Sequence, residues 1–523
     1  MILRAAGIFL ALCIPVAGAA QQSTPLSAID WLEQALTQPL GPSAPLRAPS
    51  PAPVSPTAPG DLPDPGASAE PIVARPLEQR TRDSVGLFAA ARIGLPRDLW
   101  GNTPVPLLAE AIAALDPDMV PAAQRLMLRV LSAEFAPPHL ADPGMAGSLL
   151  LARLDKLIEI GALEQASQLI DAAPAQTAAL NTRAFDIALL LGEEDRACAR
   201  LQGQLAGASG EAARIFCLAR RGEWQTAHAA LGAARALGGL DRAEAALLTR
   251  FLEEEDVELS LPPPQHLTPM GWRVLEALGD PVGTGSLPVA FAHADLRGTS
   301  GWRAQIDAAE RLTRMGVMQP ERLMGIYSQR RAAASGGVWD RVRAVQRLDS
   351  ALQDDDDNAV AGALRAAWPL FQAMELENAF ARIFADRLAD RDLTGPGARM
   401  QWEILLLAET RLDLAAERAP ASASARLALA LASGTDLPDT PVSGYGGAIL
   451  AGFGHDTLPM PQSLWLAEGE RGRLLLDSLA TIADATQGDP LATERGLAAL
   501  LALGLERDAR QIALELLLLD RRG

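Results

Sequence analysis

Gly161-Ala-Leu-Glu-Gln-Ala166, Gly192-Glu-Glu-Asp-Arg-Ala197 and Gly222-Glu-Trp-Gln-Thr-Ala227 each place an alanine five residues after a glycine, and the glycines stand 31 and 30 residues apart. A fourth copy runs from Gly504 to Ala509, and a degenerate one has Thr410 at the glycine position followed by Ala415. Glycine reaches the positive φ that closes a helix, and a small alanine inside the next helix lets two backbones approach closely. From about residue 79 onward, Leu/Ala-rich segments alternate with short Gly, Pro or Asp breaks, which is the pattern of antiparallel helix pairs. The expected fold is all-α, an α-solenoid of such pairs.

Composition supports the same class. The chain has 523 residues and only 4% aromatics, and Ala and Leu dominate, so strand formers are scarce. Its formal charge is 46 − 64 = −18. No run of five basic residues interrupts that acidity, so no nucleic-acid partner is expected. Of the 46 basic residues only Lys156 is a lysine. A P-loop needs a Gly-Lys step that the chain lacks, and a Schiff-base or general-base lysine has just this one residue to draw on.

The Gly-x4-Ala step resembles the turn between the paired helices of tetratricopeptide repeats, and residues 149 to 235 look like three such units. The spacing of 30 to 31 residues is shorter than that family's 34. The resemblance implies a helical-repeat scaffold rather than a particular ligand. Taken whole, the chain also resembles exported proteins of alphaproteobacteria.

Export is expected from the start of the chain. Arg4, the apolar stretch Ile8 to Val16 and the small residues Ala17-Gly18-Ala19 read as a secretory signal over residues 1–20, cleaved near Ala19 or Ala20. The bulky Leu12 before Cys13 fits a lipid-attachment signal poorly. Removing Arg4 with the signal takes the charge from −18 to −19. A periplasmic location follows if the cell has an outer membrane. No later segment has the 18 uninterrupted apolar residues of a membrane span, so no stable insertion is expected after cleavage.

Residues 21–40 should hold a short amphipathic helix, with Ile29, Leu32 and Leu36 on one face and Trp31 beside it. Residues 41–78 read as a disordered linker, because 12 prolines fall within the 38 residues from 39 to 76. Such a tethered helix either docks in a partner's groove or folds back on its own chain. Two helical lobes follow, at 79–260 and 261–523, divided at Pro262-Pro263-Pro264.

Cys198 and Cys217 lie about equally far from a turn read at 207–210, so an antiparallel pair would bring them face to face. A disulfide between them is expected in an oxidising compartment, the alternative being two buried thiols. The five histidines show no ligand spacing, and neither a metal nor another cofactor is expected. Asp354 to Asp357 lacks the glycine and the terminal acid of a calcium loop and reads as a helix entry.

No catalytic residue is assigned. Gly316-Val-Met-Gln-Pro320 resembles an element of lytic transglycosylases, whose catalytic glutamate stands well upstream of it; residues 295 to 309 hold no glutamate. Trp302 with Arg303, and Trp339 with Arg341, are candidate partner-binding residues, since Trp and Arg dominate interfaces. The same residues also suit helix starts packed into a core. The functional expectation is a periplasmic, non-enzymatic scaffold binding protein or peptide partners. The alternative is a peptidoglycan-acting or glycan-binding protein.

Overall fold

Gly161, Gly192, Gly222 and Gly504 adopt φ of 80°, 78°, 77° and 79°. They are seen in a computed structural model that describes residues 81–139, 143–201, 208–253 and 267–521, apart from positions 355, 456 and 520. Each glycine closes one helix, and the residue after it bonds back across five positions. The amides of Ala162, Glu193, Glu223 and Leu505 donate to the carbonyls of Leu157, Ala188, Leu218 and Leu500, at 2.7 to 3.0 Å. That pattern satisfies carbonyls a helix end would otherwise leave unpaired. The alanines follow suit: Ala166, Ala197, Ala227, Ala415 and Ala509 are all buried.

The hairpins so formed include Ser148–Glu159 with Leu163–Ala172, Ala178–Leu191 with Glu194–Arg200, Ala208–Arg220 with Trp224–Ala236, and Pro490–Ala502 with Glu506–Leu518. Among the described residues there are 24 α-helices, and the only strand pairing joins Phe88–Ala89 to Ala133–Glu134 in parallel. The fold is all-α. No described helix is long and apolar enough to cross a membrane.

At the degenerate copy the left-handed conformation does not fall on Thr410. It falls on its neighbours, Glu409 at φ 54° and Arg411 at φ 49°. Glu375 at φ 56° closes Asp357–Gln372 in the same way, its following amide, Leu376 N–H, donating to Phe371 O at 2.9 Å. A side chain in this conformation costs about 1 kcal/mol that glycine avoids. Glu409→Gly is therefore expected to stabilise the fold by about 0.5–1 kcal/mol in urea denaturation.

The chain divides into two units, Met1–Pro76 and Leu77–Gly523. The leader expected at 1–20, the helix at 21–40 with Ile29, Trp31, Leu32 and Leu36, and the linker at 41–78 all lie outside the described residues. The lobe boundary expected at 260/261 also falls outside them, within 254–266.

Within the second unit the first helices meet the last. Pro121–Ser132 packs against Glu506–Leu518 and Arg471–Thr486. Buried Glu515 accepts hydrogen bonds from the amide of Ala122, from Arg125 Nη2 at 3.0 Å and from Asn378 Nδ2. It thereby caps the start of a helix 393 positions away in sequence. Arg129 pairs with Asp508, and Val120 N–H donates to Thr486 Oγ1 at 3.2 Å.

The sole lysine has a comparable task. Lys156 is 2% exposed, and its Nζ donates to Ala113 O at 3.0 Å and Leu115 O at 2.7 Å, the closing carbonyls of Val105–Ala114. A cation at a helix C-terminus stabilises the end of that helix.

Candidate functional site

Gly301 and Gly337 each precede a helix, so Trp302 and Trp339 fall in the first turns of Trp302–Arg314 and Val338–Gln353. Those helices pack together, and the two rings meet with centroids 5.2 Å apart. Trp302 is 8% exposed, and its indole N–H donates to Ile326 O at 2.9 Å. Arg341 turns inward and grips Glu310 with two nitrogens, Nε lying 2.6 Å from Oε1. Tyr327 donates its hydroxyl to the same Oε1 at 2.6 Å. Burial, together with the Glu310 charge, pushes the Tyr327 phenol well above its ordinary value, so it remains a donor. Of the four candidate residues, Arg303 alone is exposed, 3.7 Å from Asp307.

Burial tunes other titratable groups, His293 and Asp186 among them. His293 Nε2–H donates to Gly161 O at 2.7 Å, and burial holds its imidazole below the usual value while nearby Glu164 pulls the other way. Neutral His293 thus fastens a repeat turn to the segment that follows Val289–Phe291. Asp186 has its carboxyl pushed up to about 7 by desolvation, which Arg183 only partly offsets because that guanidinium forks onto Asp155 at 2.6 and 2.7 Å.

Between the ordinary 3.8 and about 7 the folded chain holds a proton at Asp186 that the unfolded chain has lost. Stability through this group therefore falls as pH rises across that window. Asp186→Asn is expected to raise the melting temperature above neutral pH and to leave it unchanged in acid, as read by calorimetry at the two extremes.

Cys198 in Glu194–Arg200 and Cys217 in Ala208–Arg220 are buried, with their sulfurs 2.03 Å and their Cα atoms 5.4 Å apart. The helix carrying Cys217 already begins at Ala208, so residues 208–210 of the turn read at 207–210 are helical, and residues 202–207 lie outside the described set. Asp356 caps Asp357–Gln372 by accepting from the amides of Asn358 and Ala359. Among the described residues no three His, Cys, Asp or Glu side chains converge as a metal set.

Gly316, Met318, Gln319 and Pro320 line a small cavity of about 70 Å³ together with Arg125, Arg314, Asn378 and Arg382. The acid on its wall is Glu375, which is ion-paired with Arg314 at 2.6 Å.

A different surface presents apolar side chains outward. The short helix Gln462–Ala467 lies against Arg471–Thr486, held by Gln462 Nε2–H donating to Asp477 Oδ2 at 2.7 Å and by Arg473 stacked 4.3 Å over the Trp465 ring. Between this helix and the start of Pro490–Ala502 runs a groove of about 230 Å³. Met460, Trp465 and Leu491 are the large apolar side chains of its lining, and Met460 and Leu491 are 71% and 49% exposed. Leu464 beside it is 42% exposed. Asp477, Asp484 and Asp489 supply the charge of the lining against a single Arg495. Nothing in the sequence pattern singled out this groove. Exposed Met and Leu concentrated around one partly aromatic cleft were its one signal, and that becomes visible only once the helices are placed.

Compared with known protein families, with curated proteins and with solved structures, the chain matches none.

Proposed function

We propose that the chain is an exported, periplasmic helical-repeat scaffold of tetratricopeptide-like construction, without catalytic activity, which binds a protein or peptide partner. The observation that carries this reading is the groove at Met460, where large apolar side chains stand in solvent around a Trp-lined cleft. Monomeric surfaces seldom expose such side chains together unless something covers them.

Two buried carboxylates, Glu310 and Glu377, are held in ion pairs and fit the same reading. Glu310 has both carboxylate oxygens taken by Arg341, with Tyr327 on one of them. A carboxylate whose oxygens are both engaged in this way is poorly placed to reach a glycosidic oxygen, as a glycan-cleaving enzyme requires of its acid. Glu377 is likewise held by Arg521, at 3.0 and 3.1 Å.

Export is supported by the Cys198 and Cys217 geometry, since a disulfide persists in an oxidising compartment. The intact mass of the cell-derived protein should rise by two hydrogens on reduction. Loss of the bond should lower stability by about 3 kcal/mol. An unchanged mass removes both the bond and this support for export.

The reading is tested by placing a photo-activated crosslinker at Leu464 and, as a control, at Leu237, which is exposed far from the groove in sequence. A discrete adduct is expected at Leu464, absent at Leu237 and lost with Met460→Asp. Equal labelling at both positions contradicts the reading.

A further inference from the structure

We propose that the occupant of the Met460 groove is a cationic amphipathic helix of a partner protein. This rests on the scaffold reading above and adds the chemistry of what is bound. At about 230 Å³ the groove is smaller than a typical pocket for a drug-sized ligand, and it suits individual side chains projecting from a larger body. Met460, Trp465 and Leu491 offer those side chains an apolar seat, and methionine adapts its shape to what it meets. A helix laying apolar anchors at i, i+3 and i+4 into such a seat is the recognition mode that fits.

Charge selects the sign of the occupant. Asp484 is exposed and makes no ion pair among the described residues. Asp489 spends Oδ1 on the amides of Leu491 and Ala492 and keeps its charge at the groove, and Asp477 adds a third carboxylate. Arg495 is the one cation on the lining. Arginines or lysines flanking the apolar anchors would meet these carboxylates, whereas an acidic helix would be repelled.

The test uses the full exported chain and two labelled synthetic amphipathic peptides of equal length, each with Leu on one face. One carries Arg on the other face and the second carries Glu, and binding is read by fluorescence anisotropy. The Arg peptide is expected to bind about tenfold or more tightly than the Glu peptide and to weaken in about 1 M salt. Asp484→Asn should weaken it several-fold, and Met460→Asp should abolish saturable binding. Both positions are exposed, so both variants should melt as the parent does.

Equal affinity for the two peptides, or an Arg-peptide affinity unchanged in Asp484→Asn, overturns the proposal. So does Met460-dependent self-association of the chain alone, which would make a second copy the occupant. If Leu464 still yields its discrete adduct in cells while the peptides bind alike, the charge assignment fails and the scaffold reading stands. If neither adduct nor peptide binding appears, both fail.

Discussion

Glu310→Ala is expected to destabilise the folded unit by about 3–5 kcal/mol, because it strands the Arg341 guanidinium and the Tyr327 hydroxyl inside the protein. Glu310 is 2% exposed and the Arg341 side chain 11%, so water does little to screen either charge. Arg341→Met alone should cost a similar amount by leaving the carboxylate unpaired. Removing both partners at once, as Glu310→Leu with Arg341→Met, should cost far less than the two single changes together. A buried pair must first be desolvated, so exchanging the whole pair for apolar groups is often close to neutral. A double-mutant cycle by urea denaturation checks this. Additive single effects would mean that the two side chains do not act as the pair described.

Arg153→Leu should be comparably severe. Arg153 is fully buried in Ser148–Glu159 and donates to three carbonyls, Leu131 O, Val85 O and Ala133 O, each at 2.8 Å. Burial lowers its pKa to about 10, with Asp83 pulling the other way, so the guanidinium stays charged at neutral pH. Asp83 in turn accepts from the amides of Gly147 and Leu150, at 2.7 and 3.0 Å, at the start of the same helix. Leucine would leave three buried acceptors empty, at about 1–3 kcal/mol each, and a loss of about 4 kcal/mol or more is expected. Arg153→Lys should recover little, since an ammonium cannot reproduce the planar fork. A melting temperature within a few degrees of the parent would contradict the role assigned to this residue.

What the sequence discloses, and what it hides, follows from the range of the forces involved. The turns at Gly161, Gly192, Gly222 and Gly504 are legible because a left-handed residue is a local demand that glycine meets. Glu375 and Glu409 meet the same demand against their own preference and leave no mark. Arg153 and Lys156 look like ordinary surface charges on an amphipathic helix. Their place on the stripe of Leu149, Leu150 and Leu157 is the signal that they point inward.

Trp302, Trp339 and Arg341, adjacent to one another only in pairs along the sequence, come together near Glu310, and the direction of those side chains is set by Tyr327 and the packing of three helices. The meeting of Glu515 with Ala122 and the assembly of the Met460 groove bring together residues on separate helices, and no periodicity within one helix encodes that.

The proposed binding site is the Met460 groove rather than the surroundings of Glu310. Hydrogen–deuterium exchange of the full chain, with and without the Arg-bearing amphipathic peptide, tests it most directly. Added protection is expected, confined to the groove-forming elements, from the loop at Met460 through Gln462–Ala467 and Arg471–Thr486 to the start of Pro490–Ala502. Protection centred instead on Trp302–Arg314 and Val338–Gln353, or absent from the groove, would contradict it.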